Sequence, residues 1–207
     1  MTVPENGVLV VRNFVLPPEV ALLVSILDAA DEPTELKSGE DRQILFKRGV
    51  RRTEIEVSEK MSALLEPAVV KQVLAIRDRV AAAMCEVFEV QGHSNDFSAL
   101  VEMREGDSHR LHADAERLTP KGWQPNHCPW RSLSALLYLN TQGVDFEGGQ
   151  LSLPGVGLTL SPEVGMLVAF TAGRRHQHEV WTITAGKRRT MPVWLRDDHW
   201  VPGAPTE

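Results

Sequence analysis

The residues of this chain best suited to chemistry begin with His112 and Asp114, inside the run Arg104-Glu-Gly-Asp-Ser-His-Arg-Leu-His-Ala-Asp114. On a β-strand, residues two apart point to the same face, so an imidazole and a carboxylate stand side by side with Ala113 turned away. A lone His-x-Asp is common in proteins, and this one gains its weight from residues further along the chain. The segment Arg174-Arg-His-Gln-His-Glu-Val180 offers two histidines of the same strand parity, His176 and His178, and alternation does not choose between them. Gly186-Lys-Arg188 does choose: Arg188 falls ten residues beyond His178, after a turn, close enough to line the same pocket from the next strand. Two imidazoles and one carboxylate on one face of an Fe(II) ion leave part of its coordination sphere open, the arrangement of non-haem iron oxygenase centres. A keto acid can occupy part of the open side and dioxygen the rest.

These residues need a scaffold, and the chain supplies one. At 207 residues and 43% hydrophobic it can bury one substantial core. Gly7 to Phe14 is β-rich, and Pro17 and Pro18 then open a helix whose apolar positions recur through Leu27. Residues 30–54 read as polar and irregular, with a short strand at Gln43 to Phe46 and a basic cluster of Lys47, Arg48, Arg51 and Arg52 that suits a solvated loop face. Pro67 to Val90 is the clearest helix, because Val69, Val70, Val73, Leu74, Ile76, Val80, Met84, Val87 and Phe88 recur at spacings near three and four. Beyond Asn95 come about eight short β-type runs, among them Phe97 to Met103, Leu133 to Leu139 and Thr190 to Leu195, which predict a sandwich or small barrel.

Composition narrows the partners. A net charge of −6 opposes nonspecific binding to nucleic acid or anionic membrane. The sequence has no apolar run of transmembrane length and its start lacks the pattern of a signal peptide, so a cytoplasmic protein is expected. Cys85 and Cys128 read as packing thiols in a reducing compartment.

The motifs together resemble the Fe(II)/2-oxoglutarate-dependent dioxygenases, in their prolyl hydroxylase branch. The greatest likeness is to the catalytic region of leprecan-type prolyl 3-hydroxylases. It is carried by D-S-H-R-L-H-A-D, by W-R-S-L-S-A-L-L-Y-L-N (Trp130 to Asn140), by D-F-E-G-G (Asp145 to Gly149) and by V-A-F-T-A-G…H-E-V…G-K-R…W (Val168 to Trp194). The resemblance implies a double-stranded β-helix, or jelly roll: a mainly β fold with flanking helices. One domain would span residues 1–200, with 1–95 as helical and strand support, 96–196 as the jelly-roll core and 201–207 as a frayed tail. It further implies that His112, Asp114 and His178 are the metal ligands and catalytic centre. Arg188 would pair with the distal carboxylate of 2-oxoglutarate, and Tyr138 would donate its hydroxyl to the same group. Thr190, on the strand face of Arg188, would add a hydrogen bond.

The cofactors so implied are Fe(II), 2-oxoglutarate and O2. The reaction would be hydroxylation of an unactivated C–H bond of a prolyl or other peptidyl residue, a free amino acid or a small metabolite, giving succinate and CO2. The rival is a non-oxygenase jelly roll, either a cupin-like metal-dependent isomerase or a ligand-binding protein, which has no use for Arg188. His109 has the opposite parity to His112 and is expected to be structural, while His93, His127 and His199 read as loop residues. The polar stretch Ala115 to Pro129 reads as a long loop beside the site, a mobile lid.

Overall fold

The computed structural model describes residues 5–31 and 52–202. The expected strand at Gln43 to Phe46, the basic residues Lys47, Arg48 and Arg51, and the tail beyond residue 202 lie outside the described residues. Two helices precede the main run of strands: α1 (Pro17–Asp31) and α2 (Pro67–Val87). The strands are β1 (Leu9–Val11), β2 (Arg52–Glu56), β3 (His93–Arg104), β4 (His109–His112), β5 (Glu116–Thr119), β6 (Gly122–Pro125), β7 (Arg131–Tyr138), β8 (Phe146–Gly148), β9 (Leu151–Leu153), β10 (Leu158–Leu160), β11 (Leu167–Thr171), β12 (His178–Val180) and β13 (Ile183–Asp197). The large sheet runs β1-β11-β7-β13-β3-β2, with β8 paired to the start of β13. The small sheet runs β10-β9-β12-β4. The protein is therefore mainly β, a jelly roll with two helices against its larger sheet.

That larger sheet is covered on both faces, which explains why its strands read as near-continuous apolar runs rather than as alternation. Leu133, Ala135 and Leu137 of β7, with Met191, Val193 and Leu195 of β13, face a core shared with Val70, Val73, Ile76, Val80, Met84 and Val87 of α2. Each such buried Val, Leu, Ile or Met side chain contributes about 1.5–3 kcal/mol. The opposite parity, including Tyr138, Val101, Met103, Val168 and Phe170, meets Leu151, Leu153 and Val180 of the small sheet. The functional candidates stand on this inner face.

Several expectations need correction. Residues 30–54 are not wholly irregular: α1 runs to Asp31 and β2 begins at Arg52. α2 stops at Val87, three residues short of the expected Val90, and Glu89 takes a left-handed conformation (φ 53°) as the chain leaves it. His93 is not in a loop but opens β3. The stretch 115–129 is not an open loop either, since β5 and β6 pair as a hairpin, Glu116 opposite Pro125 and Thr119 opposite Gly122.

Candidate active site

The two histidines come from adjacent strands of the small sheet, where His178 of β12 stands opposite His112 of β4. Their rings lie 4.3 Å apart, centroid to centroid. Asp114 is not on the strand, which ends at His112; it sits in the bend just after it, and its carboxylate still reaches both rings. Oδ1 is 3.5 Å from His112 Nε2 and Oδ2 is 3.8 Å from His178 Nε2. The three ligand atoms lie within 4.8 Å of one another, and no other such trio of His, Cys, Asp or Glu occurs among the described residues.

Both imidazoles are set by hydrogen bonds at the far nitrogen. Nδ1 of His112 is 2.7 Å from the Arg110 carbonyl, and Nδ1 of His178 is 3.1 Å from the His176 carbonyl. A carbonyl only accepts, so each Nδ1 carries the proton and each Nε2 lone pair faces the carboxylate. Asp114 is buried, which by itself raises its pKa, yet the facing His178 and His112 and the Ser134 hydroxyl outweigh burial and hold it well below the usual carboxylate range. Burial lowers the pKa of His178 despite Asp114. His112 is also burdened by burial, but its contact with Asp114 prevails and raises its pKa. Two neutral-capable imidazoles around a firmly ionised carboxylate form a donor set that fits a divalent first-row metal such as iron.

His176, the other distal histidine, is engaged at both ring nitrogens. Nδ1 is 2.7 Å from the Thr171 hydroxyl and Nε2 is 3.0 Å from the Asn6 carbonyl. It pins the segment before β1 against the turn before β12, and it has no lone pair facing Asp114. His109 is not turned away as parity predicts. The β4–β12 register shifts between His178 and Val180, and this irregularity lets the His109 ring meet His112 edge-on at 4.1 Å.

Arg188, Tyr138 and Thr190 come from the inner face of the large sheet, with Thr190 opposite Tyr138 across the β13–β7 ladder. Arg188 is 2% exposed, an unusual place for a guanidinium. Its Nε donates to the Gly149 carbonyl at 3.1 Å and Nη2 reaches the Tyr138 hydroxyl at 3.3 Å. Burial pushes the Tyr138 phenol up, with Arg188 opposing, so the hydroxyl keeps its proton and can donate. Gly149 has φ +67°, and a Cβ there would come within 3.1 Å of Arg188 Cδ. The second glycine of Asp145-Phe-Glu-Gly-Gly149 therefore gives the arginine its room and a carbonyl to lean on. A buried cation beside a phenol in apolar walls suits a carboxylate ligand.

Residues 98–196 match the 2OG-Fe(II) oxygenase superfamily. The chain carries a 2OG-Fe(II) oxygenase domain. Human prolyl 3-hydroxylase 3 is 36% identical over 115 residues, 48% of this chain but 15% of that protein, so the chain spans only a small part of the length of the curated relatives it matches. Among solved structures, a Pseudomonas putida prolyl-4-hydroxylase superposes with a TM-score of 0.65 at 25% identity, covering 93% of each chain. A Trichoplax adhaerens prolyl hydroxylase, in complex with a hypoxia inducible factor oxygen degradation domain peptide fragment, superposes with a TM-score of 0.62 at 18% identity over 94% of this chain and 85% of that one. The domain thus resembles those of prolyl hydroxylases. Its cofactors are Fe(II) and 2-oxoglutarate, with O2 as cosubstrate. The cupin-like alternative gains no support from any of these likenesses.

Sequence reading missed the residues that brace this oxygenase site. Ser134 Oγ donates to Asp114 Oδ2 at 2.6 Å. Asn126, at the foot of the β5–β6 hairpin, donates to the Asp114 carbonyl at 2.9 Å. Buried Glu116, at the other foot, accepts from the Arg174 backbone N–H at 2.7 Å. The signal for Ser134 was present: a serine with the parity of Tyr138 inside the apolar run Leu133 to Leu139 is a polar group committed to the interior.

Proposed function

We propose that this oxygenase hydroxylates an unactivated C–H bond of a prolyl or neighbouring residue in a peptide, converting 2-oxoglutarate to succinate and CO2. The observation that carries the reading is that three preset donors, His112, Asp114 and His178, converge beside the inner core, where His178 meets Phe170, and that the same core receives the buried Arg188 against Tyr138 and Met103. In this reading the three donors hold the iron, which when bound supplies the oxidising chemistry. The remaining work belongs to the chain. Arg188 pairs with the distal carboxylate of 2-oxoglutarate, Tyr138 donates its hydroxyl to it, and Thr190 lines the same wall. The apolar inner core, with Met103 against the guanidinium, keeps water from the ion pair, which strengthens it.

A peptide substrate is favoured over a small metabolite by one structural likeness. The structurally similar Trichoplax enzyme was captured with a peptide. The test is to supply Fe(II), 2-oxoglutarate and a library of prolyl peptides and to measure succinate together with the gain of one oxygen in the peptide. Peptide-stimulated succinate is expected. Stimulation by free amino acids alone would move the substrate to the small-molecule class.

The β5–β6 hairpin adds a second expectation. Its feet are tied to Asp114 and Arg174, which leaves the tip, Thr119 to Gly122 with exposed Leu118 alongside, as the part that in this reading meets substrate. Trimming the tip while keeping Glu116 and Asn126 should reduce peptide turnover and leave Fe(II) and 2-oxoglutarate binding nearly intact. Parallel loss of all three would make the hairpin a brace for the metal ligands rather than a substrate element.

A further inference from the structure

Asp114 is the ligand candidate with the weakest local support, since β4 ends two residues before it and it lies in a bend. Its main chain is fixed from outside: Asn126 Nδ2 donates to its carbonyl, and the next residue, Ala115, donates its N–H to the Ala172 carbonyl at 3.0 Å. Neither bond fixes the rotation of the carboxylate itself. One hydrogen bond does, from Ser134 Oγ to Oδ2 at 2.6 Å, between residues 3% and 7% exposed. It is shorter than a hydroxyl bond to a neutral oxygen, as a charge-assisted bond to a carboxylate should be. Ser134 reaches Asp114 from the inner face of β7, which belongs to the opposite sheet, so the bond also spans from the large sheet to the ligand-bearing end of the small one.

We infer that Ser134 is a positioning residue for the metal. It occupies a lone pair on Oδ2 and leaves Oδ1, the oxygen nearer His112 Nε2, without a hydroxyl partner, so that the carboxylate is presented through one oxygen in a fixed rotamer. A carboxylate free to turn can chelate through both oxygens or swing away. The first fills coordination space that the keto acid and dioxygen need, and the second loses a ligand. This inference rests on the reading of His112, Asp114 and His178 as the metal ligands.

The experiment titrates Mn(II) alone into the apoprotein, read by the electron paramagnetic resonance of free Mn(II), with Co(II) absorption as a report on coordination number. Ser134→Ala should weaken Mn(II) binding by about ten- to a hundredfold, the usual cost of losing a hydrogen-bond partner of a metal ligand. It should also change the Co(II) spectrum. Ser134→Thr keeps the hydroxyl and should restore most of the affinity. If Ser134→Ala fails to fold, Ser134→Cys keeps the volume but donates weakly, and the same loss is expected. Should the variants lower the apoprotein melting temperature yet bind Mn(II) with wild-type affinity and an unchanged Co(II) spectrum, Ser134 only packs and the inference is overturned. Asp114→Ala separates this from failure of the site. If it loses Mn(II) while Ser134→Ala keeps it, the ligand assignment stands and only Ser134 falls; if Asp114→Ala itself binds normally, the assignment fails and takes the inference with it.

Discussion

His178→Ala is expected to abolish substrate-coupled succinate formation, and His176→Ala to leave most of it, although only one residue separates them. The difference lies in the bonds each ring already makes. His178 engages Nδ1 with the His176 carbonyl and turns Nε2 toward Asp114. His176 engages both nitrogens, with Thr171 and Asn6, and neither faces the site. Losing one of three protein ligands leaves the metal two attachments, so His112→Ala and Asp114→Ala should be as severe as His178→Ala. His176→Ala instead leaves the hydrogen-bonding groups of Thr171 and Asn6 without their partner in a buried setting, and costs about 1–3 kcal/mol of stability. Succinate assays at saturating peptide, beside thermal melts of the apoproteins, distinguish the two effects. If His176→Ala lost activity at an unchanged melting temperature while His178→Ala retained it, the wrong histidine would have been assigned.

That the two histidines had to be distinguished by Arg188, rather than by alternation, shows where the sequence is legible and where it is not. Strand parity is reliable where a regular ladder runs under a buried face. It groups Arg188 with Thr190, and it assigns Leu137 and Tyr138 to opposite cores, as the structure does. It fails at β4, where the shifted register against β12 brings His109 onto His112, and at Asp114, which meets His112 from a bend. The β5–β6 hairpin was illegible for another reason. Glu116-Arg-Leu-Thr and Gly-Trp-Gln-Pro125 offer only the Leu118–Trp123 cross-strand pair as an apolar signal, too short a pattern to read locally, and the hairpin is anchored at its feet, through Glu116 to Arg174 and Asn126 to Asp114. Such anchors join residues far apart in the chain, and no local pattern announces them.

The buried cation at position 188 is what sets the oxygenase reading apart from its cupin-like rival, and its removal should have the largest effect on cosubstrate binding. Three basic residues stand in a row, Lys187, Arg188 and Arg189, and the ladder turns them to alternate sides. Lys187 Nζ and Arg189 Nε both reach the buried carboxylate of Glu102, at 3.4 Å and 2.8 Å, and Arg189 also reaches Asp28. Arg188 points the other way, into the inner core beside Tyr138. If 2-oxoglutarate sets its distal carboxylate there, Arg188→Ala leaves a buried anion without its partner, a loss of roughly 3–5 kcal/mol. At 1.4 kcal/mol per tenfold, that is about two to three and a half decades of affinity. Fe(II) affinity should hardly change, because Arg188 is not among the converging donors. Arg188→Lys should keep part of the binding as a point charge without the two-pronged geometry. Lys187→Ala should be nearly silent for 2-oxoglutarate, and Arg189→Ala should act on stability by removing one of the three cations around Glu102 and the link to Asp28. The measurement is a titration of 2-oxoglutarate into each Fe(II)-loaded variant without oxygen, tracked by the visible charge-transfer band of the chelate and checked by succinate formation in air. Wild-type affinity in Arg188→Ala, with the loss falling on Lys187→Ala or Arg189→Ala instead, would place the cosubstrate on the outer side of β13; indifference of all three would remove it from this strand altogether.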